Sequence, residues 1–259
     1  MRVREDVRKR LGLFWCALAL ALASAPGESH GQRAAARVRR PRCPDGTVHV
    51  PEARVCVDRY EASLVEVVGR GRTRPHSAHE PPAEGVTYRA VSRPNVLPQG
   101  FISQVQAAAA CEHAGRRLCT EHEWETACRG PQPTAWPYGD TQLPGRCNDD
   151  GVNPVPRLYG AGDVFHDRQM NDPRLNQLPR TTVRTGSRRR CGNRYGVRDM
   201  VGNLHEWVDA RTRSGRGVFR GGYFSDVLIN GAGCAYATRA HNPTYRDYST
   251  GFRCCANPR

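Results

Sequence analysis

Cysteine gives this 259-residue chain most of its possible chemistry, because eleven are present. Their thiolates could bind zinc or copper, act as nucleophiles, or pair as disulfides. A zinc site would favour Cys-x2-Cys pairs, and the sequence contains none. An even, high number of cysteines in an exported chain instead indicates disulfides. The ten that follow the first 31 residues are Cys43, Cys56, Cys111, Cys119, Cys128, Cys147, Cys191, Cys234, Cys254 and Cys255.

The N-terminal residues are typical of a secretory signal peptide. A basic start is followed by an apolar run over 11–25, and 23–25 has the small residues of a cleavage site. The run is shorter than the ~20 residues of a membrane span. We predict a signal peptide over 1–31, a flexible Arg/Ala-rich linker over 32–42 and one folded domain over 43–259, with an uncleaved anchor as the alternative. The mature chain would be secreted or periplasmic and would have no membrane span.

The formal net charge of +14 comes almost wholly from arginine, because Lys9 is the only lysine. A charge of this size is typical of nucleic-acid-binding proteins. The arginines are scattered along the chain, however, apart from runs at 37–42 and 188–190. The distribution therefore favours nonspecific contact with anionic polymers or envelope surfaces over specific nucleic-acid binding.

Two helices are predicted in the middle of the chain. The first follows Ser103, which can cap it, and ends at Gly115, which can adopt the left-handed conformation of a helix stop. The second spans about 121–128, and Thr120 with Glu123 forms a capping box at its start. Trp124 and Cys128 are four residues apart, so they would share one face of the second helix.

Alternating apolar residues predict strands at 47–50 and 55–61, and further strands are expected at 217–220 and 251–255. The segment 131–190 is instead rich in Gly, Pro, Asn and Asp and has no periodic pattern. So long a segment without regular structure is unusual in a compact domain. Disulfides or bound ions are the physical candidates for holding it in place.

Two stretches of the chain carry a specific pattern. One lies within 111–130 and reads Gly-Arg-Arg-Leu-Cys-Thr-Glu-His-Glu-Trp-Glu; the other, within 195–255, contains Asp-Met-Val-Gly-Asn-Leu-His-Glu-Trp-Val, Phe-Arg-Gly-Gly-Tyr and Gly-Phe-Arg-Cys-Cys in that order. Together they resemble the formylglycine-generating enzymes, or sulfatase-modifying factors, over most of 56–255. That family oxidises a sulfatase cysteine to formylglycine. The resemblance implies an α+β, loop-rich, disulfide-bonded fold similar to C-type lectins for the domain 43–259.

The resemblance also implies structural calcium, a hard cation that suits flexible, oxygen-rich loops. Two carboxylates and two backbone carbonyls would hold the first ion: Asp199, Glu206, Gly202 and Leu204. Asn148, with Asp149 or a later aspartate, would form a weaker second site. The alternative is that Asp199 and Glu206 only cap turns or pair with arginines.

The family further implies how the disulfides connect the chain. Cys111 would pair with Cys254 or Cys255, and Cys119 would take the other of these two. The remaining pairs would be Cys128–Cys234, Cys43–Cys56 and Cys147–Cys191. Sequence alone cannot determine the connectivity, so the choice between Cys254 and Cys255 stays open here.

The resemblance breaks at the copper site of the family. Formylglycine-generating enzymes bind copper(I) through a Cys-x4-Cys pair shortly after Arg-Gly-Gly, because soft thiolates select this ion. Here 223–233 contains no cysteine, and the two positions fall near Asp226 and Gly231. Tyr223 and His205 also replace the usual Ser and Trp. We therefore predict a pseudoenzyme without copper, whose cysteines are structural.

These departures leave two functions open. The favoured one is a binding or accessory scaffold with a shallow cleft for a protein, peptide or glycan. The cleft residues would be His205, Tyr223, Asp226 and Arg239. The alternative is an oxidoreductase of the sulfatase-modifying type, with altered chemistry, that acts in the periplasmic maturation of a peptide or protein.

Overall fold

The computed structural model describes residues 41–69, 71–162 and 164–259. The predicted signal peptide over 1–31, and the predicted linker as far as residue 40, lie outside the described residues. Among the residues described, no helix has both the length and the apolar character needed to cross a bilayer.

Capping residues begin the two longer helices, as the sequence predicts. The described residues contain α1 (Gln104–His113), α2 (Glu121–Arg129), α3 (Pro154–Tyr159) and α4 (Asp167–Met170), with short 3-10 turns at Pro51–Ala53, Leu175–Gln177 and Gly233–Ala235. Ser103 Oγ accepts a hydrogen bond from the backbone N–H of Gln106, and the Gln106 side chain accepts one from the Ser103 N–H. Thr120 and Glu123 form the same reciprocal pair at α2. The two predicted capped helices are therefore confirmed.

Three sheets form the rest of the regular structure in the described ranges. Their strands are β1 (Thr47–Val50), β2 (Val55–Asp58), β3 (Ala62–Val67), β4 (Thr73–Pro75), β5 (Tyr88–Ser92), β6 (Arg117–Leu118), β7 (His205–Arg211), β8 (Gly217–Arg220), β9 (Ala237–Thr238), β10 (Thr250–Phe252) and β11 (Cys254–Ala256). The strand orders are β1-β2-β11-β6, β10-β7-β8-β9 and β4-β3-β5. β10 pairs parallel with β7, and β11 pairs antiparallel with β2 and β6.

The last predicted strand, 251–255, is in fact two strands that enter different sheets. Arg253 separates β10 from β11, and its side chain is fully buried. The short segment 250–256 therefore joins two of the three sheets, with a buried guanidinium at the junction.

Disulfides provide the second kind of connection between distant segments. The structure contains Cys43–Cys56, Cys111–Cys254, Cys119–Cys255, Cys128–Cys234 and Cys147–Cys191. The choice that the sequence left open is resolved, because Cys254 pairs with Cys111 on α1 and Cys255 pairs with Cys119. The Cys147–Cys191 bridge encloses most of the irregular region predicted over 131–190, from residue 147 onward.

Three apolar clusters form the core of the described residues, and the two larger ones contain the bridges to β11. One surrounds Trp124 of α2 and includes Cys119 and Cys255. The other surrounds Trp207 of β7 and includes Cys111 and Cys254. Each bridge to β11 is thus buried inside a different part of the core.

The two bridges to β11 should contribute to stability in a strongly non-additive way. They span 143 and 136 residues of nearly the same loop. While one bridge is present, the other closes only a small additional ring. In the chain-entropy model, replacing either cysteine pair by alanine should lower the free energy of unfolding by about 2–3 kcal/mol, whereas replacing both pairs should lower it by about 7–8 kcal/mol.

Guanidinium unfolding of the two double variants and the quadruple variant measures this coupling. A quadruple loss equal to the sum of the two separate losses would show that the bridges act independently and would contradict the expectation.

Candidate functional site

A fully buried ion pair lies at the centre of the predicted functional region. The guanidinium of Arg253 donates through Nε and Nη2 to the two carboxylate oxygens of Glu206, both at 2.6 Å. Trp124 Nε1 donates to the same carboxylate at 2.7 Å. The parallel pairing of β10 with β7 sets Gly251 opposite Glu206, which brings Arg253 within reach. Both oxygens of Glu206 therefore already have donors.

Two further buried carboxylates surround this pair. Glu61 accepts from Asn203 Nδ2 at 2.6 Å and from the backbone N–H of Leu204 at 3.2 Å. Asp199 accepts from the backbone N–H of Gly186 at 2.6 Å. Burial, together with the neighbouring carboxylates, raises the pKa of Glu61 well above its usual value. Burial also raises the pKa of Asp199 to about 6, although the Gly186 N–H and the nearby guanidinium oppose the shift.

The charge in this buried region bears on the predicted calcium site. Three buried carboxylates, those of Glu61, Asp199 and Glu206, lie around the buried guanidinium of Arg253, with Arg198 also near Asp199, so acidic groups are in excess. A divalent cation would neutralise that excess, and carboxylate oxygens are the donors that calcium prefers. Within the described ranges, however, no three His, Cys, Asp or Glu side chains converge on one point. The charge thus fits calcium, and carbonyls such as those of Gly202 and Leu204 would have to complete the ligand set.

The residues of the predicted second site lie directly beside the first. The backbone carbonyl of Asn148 accepts a hydrogen bond from the backbone N–H of Asn203 at 2.8 Å. The side-chain Nδ2 of Asn148 donates to Asn203 Oδ1, also at 2.8 Å. The approach is so close that a Cβ at Gly202 would overlap the Asn148 backbone. Asp149 accepts from the backbone N–H of Gly145 at 2.8 Å, and burial raises its pKa. Asn148 therefore braces the 199–206 loop, while the carboxylate of Asp149 closes a local turn.

His205 lies beneath the surface and not in an open cleft. Its side chain is buried, and its ring centroid lies 4.4 Å from Phe219, 4.9 Å from Tyr223 and 5.4 Å from Tyr236. Burial lowers the pKa of His205 to about 3, so the imidazole is neutral at physiological pH. Among the described residues, none forms a hydrogen bond with the buried Nδ1 of this ring.

Asp226, one of the two positions where copper-binding cysteines would be expected, organises a turn. One carboxylate oxygen accepts from the backbone N–H groups of Leu228 and Ile229 at 2.9 and 3.0 Å. The other oxygen accepts from the Tyr236 hydroxyl at 2.7 Å. Gly231, at the second position, has φ of +107°, and a Cβ there would lie 2.9 Å from the carbonyl oxygen of Ala235. Both positions therefore serve the backbone of this turn.

Arg239, the fourth predicted cleft residue, belongs to a different group. Its guanidinium binds the carboxylate of Glu121 on α2, and its side chain is 48% exposed. Glu121 also binds Arg220, which is buried and bonds to Glu125 as well. The structure thus brings His205, Tyr223 and Asp226 together around Tyr236, whereas Arg239 caps an arginine–glutamate network.

Sequence reasoning missed Glu61, Asn203 and Tyr236. Glu61 ends the predicted strand segment 55–61, shortly after Asp58 and Arg59, so its neighbours give no local indication of a buried carboxylate. Its two bonding partners lie 142 and 143 residues further along the chain, and no local pattern could connect them. The contact of Tyr236 with Asp226 could not be predicted either, because it depends on the path of the turn that begins at Tyr223.

Residues 46–258 match a family model described as the sulfatase-modifying factor enzyme 1-like domain. The chain is 32% identical over 169 residues to "Inactive C-alpha-formylglycine-generating enzyme 2" of Mus musculus, which covers 62% of this chain and 49% of the mouse protein. It is 34% identical over 107 residues to "Formylglycine-generating enzyme" of Mycobacterium tuberculosis, which covers 41% of this chain and 31% of that protein. The matched part is thus about half, or less, of the length of these relatives.

Among solved structures, PvdO from Pseudomonas aeruginosa is similar with a TM-score of 0.43 and 15% sequence identity, over 78% of this chain and 79% of that chain.

The two arginine–glutamate pairs described above should respond very differently to the same substitution. Arg253→Lys replaces a buried two-point contact with a single ammonium, which leaves acceptors unsatisfied, so the free energy of unfolding should fall by about 3 kcal/mol. Arg239→Lys changes an exposed pair and should cost less than about 1 kcal/mol. Urea unfolding of both variants provides the comparison. Equal losses would mean that the buried pair does not hold the sheets together.

Proposed function

This chain belongs to the family of sulfatase-modifying factor enzyme 1-like domains, and from that membership we propose that it is a binding or accessory scaffold without copper-dependent cysteine oxidase activity. The membership confirms the predicted resemblance and the α+β, loop-rich, disulfide-bonded fold. The mouse relative named as inactive is consistent with a non-catalytic role.

This proposal rests on the residues that stand at the two positions where copper-binding cysteines would be expected. Two thiolates are needed to hold copper(I), and the turn offers the carboxylate of Asp226 and the glycine backbone of Gly231 in their place. The ten cysteines of the described residues are all in disulfides, so no thiolate remains there for a soft metal. The neutral, buried imidazole of His205 adds no compensating ligand at the surface.

The disulfides of this domain favour a location outside the cytoplasm. Five disulfides form and persist in oxidising compartments, which include the periplasm and the extracellular space. We propose that the chain is secreted or periplasmic, in agreement with the signal peptide predicted over 1–31.

The partner would be a protein, peptide or glycan bound beside the turn at Asp226. Tyr223 and Asp226 are partly exposed there, and Leu228 and Ile229 project beyond them with exposed fractions of 53% and 82%. An ordered turn with exposed apolar side chains is a common feature of interaction surfaces. His205 would act below this surface by supporting the rings above it.

The second candidate function is an oxidoreductase with altered chemistry that acts in periplasmic maturation of a peptide or protein. The specific observation in its favour is the similarity to bacterial proteins named formylglycine-generating enzyme. Such an activity would need a redox centre other than a cysteine pair between 223 and 233.

We predict that the mature protein, supplied with copper(I) and oxygen, leaves a Cys-x-Pro-x-Arg peptide unchanged. Mass spectrometry would detect the mass loss that accompanies conversion of cysteine to formylglycine. A copper-loaded formylglycine-generating enzyme treated in parallel serves as the positive control. Any turnover by the chain would overturn the scaffold proposal, and it would favour the oxidoreductase.

We also predict that calcium stabilises the protein, because the excess of buried carboxylates would be neutralised. A ligand at a hundredfold excess over its Kd adds about 2.7 kcal/mol to the free energy of unfolding. Addition of EGTA should therefore lower the Tm, and calcium should restore it. Asp199→Asn should abolish the response, whereas Asp209→Asn, at an exposed site, should retain it. An unchanged Tm in the wild-type protein would contradict the predicted calcium site.

A further inference from the structure

Two neighbouring surface cavities share the side chain of Arg146. The first has a volume of about 300 Å³ and lies between the end of α2, the segment 131–139 and residues 192–194. The second has about 430 Å³ and lies between 143–146 and 187–190. The Cys147–Cys191 bridge joins the two loops and sets their spacing. We call these two joined cavities the arginine groove.

The groove concentrates positive charge, only part of which is paired with carboxylates of the described residues. Six arginines line it: Arg129, Arg146, Arg188, Arg189, Arg190 and Arg194. Glu125 pairs with Arg129 at 2.8 Å, and Asp150 lies 3.6 Å from Arg188. Among the described residues, no carboxylate forms an ion pair with the other four. An anion in the groove would therefore meet guanidinium groups still available for bidentate bonds.

The first cavity is lined by the aromatic ring of Tyr138 and by the backbone of three glycines. Arg146 lies over the ring of Tyr138, 4.6 Å from its centroid, and Trp136 stacks at 6.2 Å on Tyr138. Gly130, Gly139 and Gly192 line the same cavity. The arrangement holds Arg146 in place at the junction of the two cavities.

We propose that the arginine groove binds an anionic polysaccharide that carries sulfate or phosphate ester groups. Two adjoining concave cavities of this size suit successive ring-sized units of a linear chain, each with its own oxyanion. Guanidinium groups match such oxyanions with paired N–H donors.

The shape of the groove favours a polysaccharide over a nucleic acid. A duplex is bound by a continuous basic face that follows its phosphates. Single strands are bound by several aromatic rings on which successive bases stack, and Tyr138 is the aromatic residue among the groove residues. The groove shares no residue with the turn at Asp226, so this inference goes beyond the proposed function and does not depend on it.

A charge-matched pair of triple variants tests the groove. Arg189, Arg190 and Arg194 are exposed, and the groove variant replaces them together: Arg189→Ser, Arg190→Ser and Arg194→Ser. The control removes the same charge from exposed arginines elsewhere: Arg72→Ser, Arg89→Ser and Arg213→Ser. Binding of fluorescent dextran sulfate to the full chain is measured at physiological salt, with neutral dextran as the uncharged probe. We expect the groove variant to lose affinity about tenfold or more, and the control variant to lose less than about threefold.

A third variant separates geometry from charge. Arg189→Lys, Arg190→Lys and Arg194→Lys together keep the charge but remove the paired donors, so their loss should fall between those of the other two variants. Equal losses in the groove and control variants would show that binding follows total charge, and would overturn the proposal. A DNA oligonucleotide of equal charge that binds as tightly, with the same loss in the groove variant, would overturn the assignment to polysaccharide.

Discussion

The fold depends on a buried guanidinium. Arg253 binds Glu206 on β7, donates to the backbone carbonyl of Asp58 at the end of β2, and donates to that of Arg198 in the adjoining loop. One side chain therefore connects two sheets and the loop of the predicted calcium site. A buried charge of this kind is costly unless every donor finds an acceptor, so the surrounding backbone has little freedom to move. The interruption between β10 and β11 follows from the same requirement.

The turn at Asp226 illustrates how a catalytic position can acquire a structural role. A carboxylate satisfies two backbone N–H groups and a buried hydroxyl there, tasks that a thiolate would perform poorly. Gly231 adopts a backbone conformation that a side chain would strain. Reversal to a metal site would thus require a new turn as well as two cysteines. The proposed scaffold function agrees with this local reorganisation.

Elements with local causes could be predicted from the sequence. Ser103 and Thr120 predict the starts of their helices, because each cap involves residues within one turn. The family resemblance implied the disulfide partners of the cysteines. Burial of His205 could not be predicted in this way, because the rings of Phe219, Tyr223 and Tyr236 come together only after β7 and β8 have paired and the following turn has closed. The arginine groove could not be predicted from the sequence either. The run 188–190 is visible in the sequence, but its proximity to Arg146 depends on a bridge between residues 147 and 191.

The adjacent cysteines of β11 have a consequence for oxidative folding. Successive residues of a strand point to opposite faces, and Cys254 and Cys255 accordingly enter different core clusters. An exchange of partners would place each sulfur on the wrong face, and the strand would have to turn over to form the incorrect bridges. The alternation of β11 therefore disfavours the incorrect disulfides, because burial of the two strand faces leaves each partner cysteine only one thiol within reach. A folding catalyst that reshuffles these bonds would need only to keep them reversible until the strand has paired.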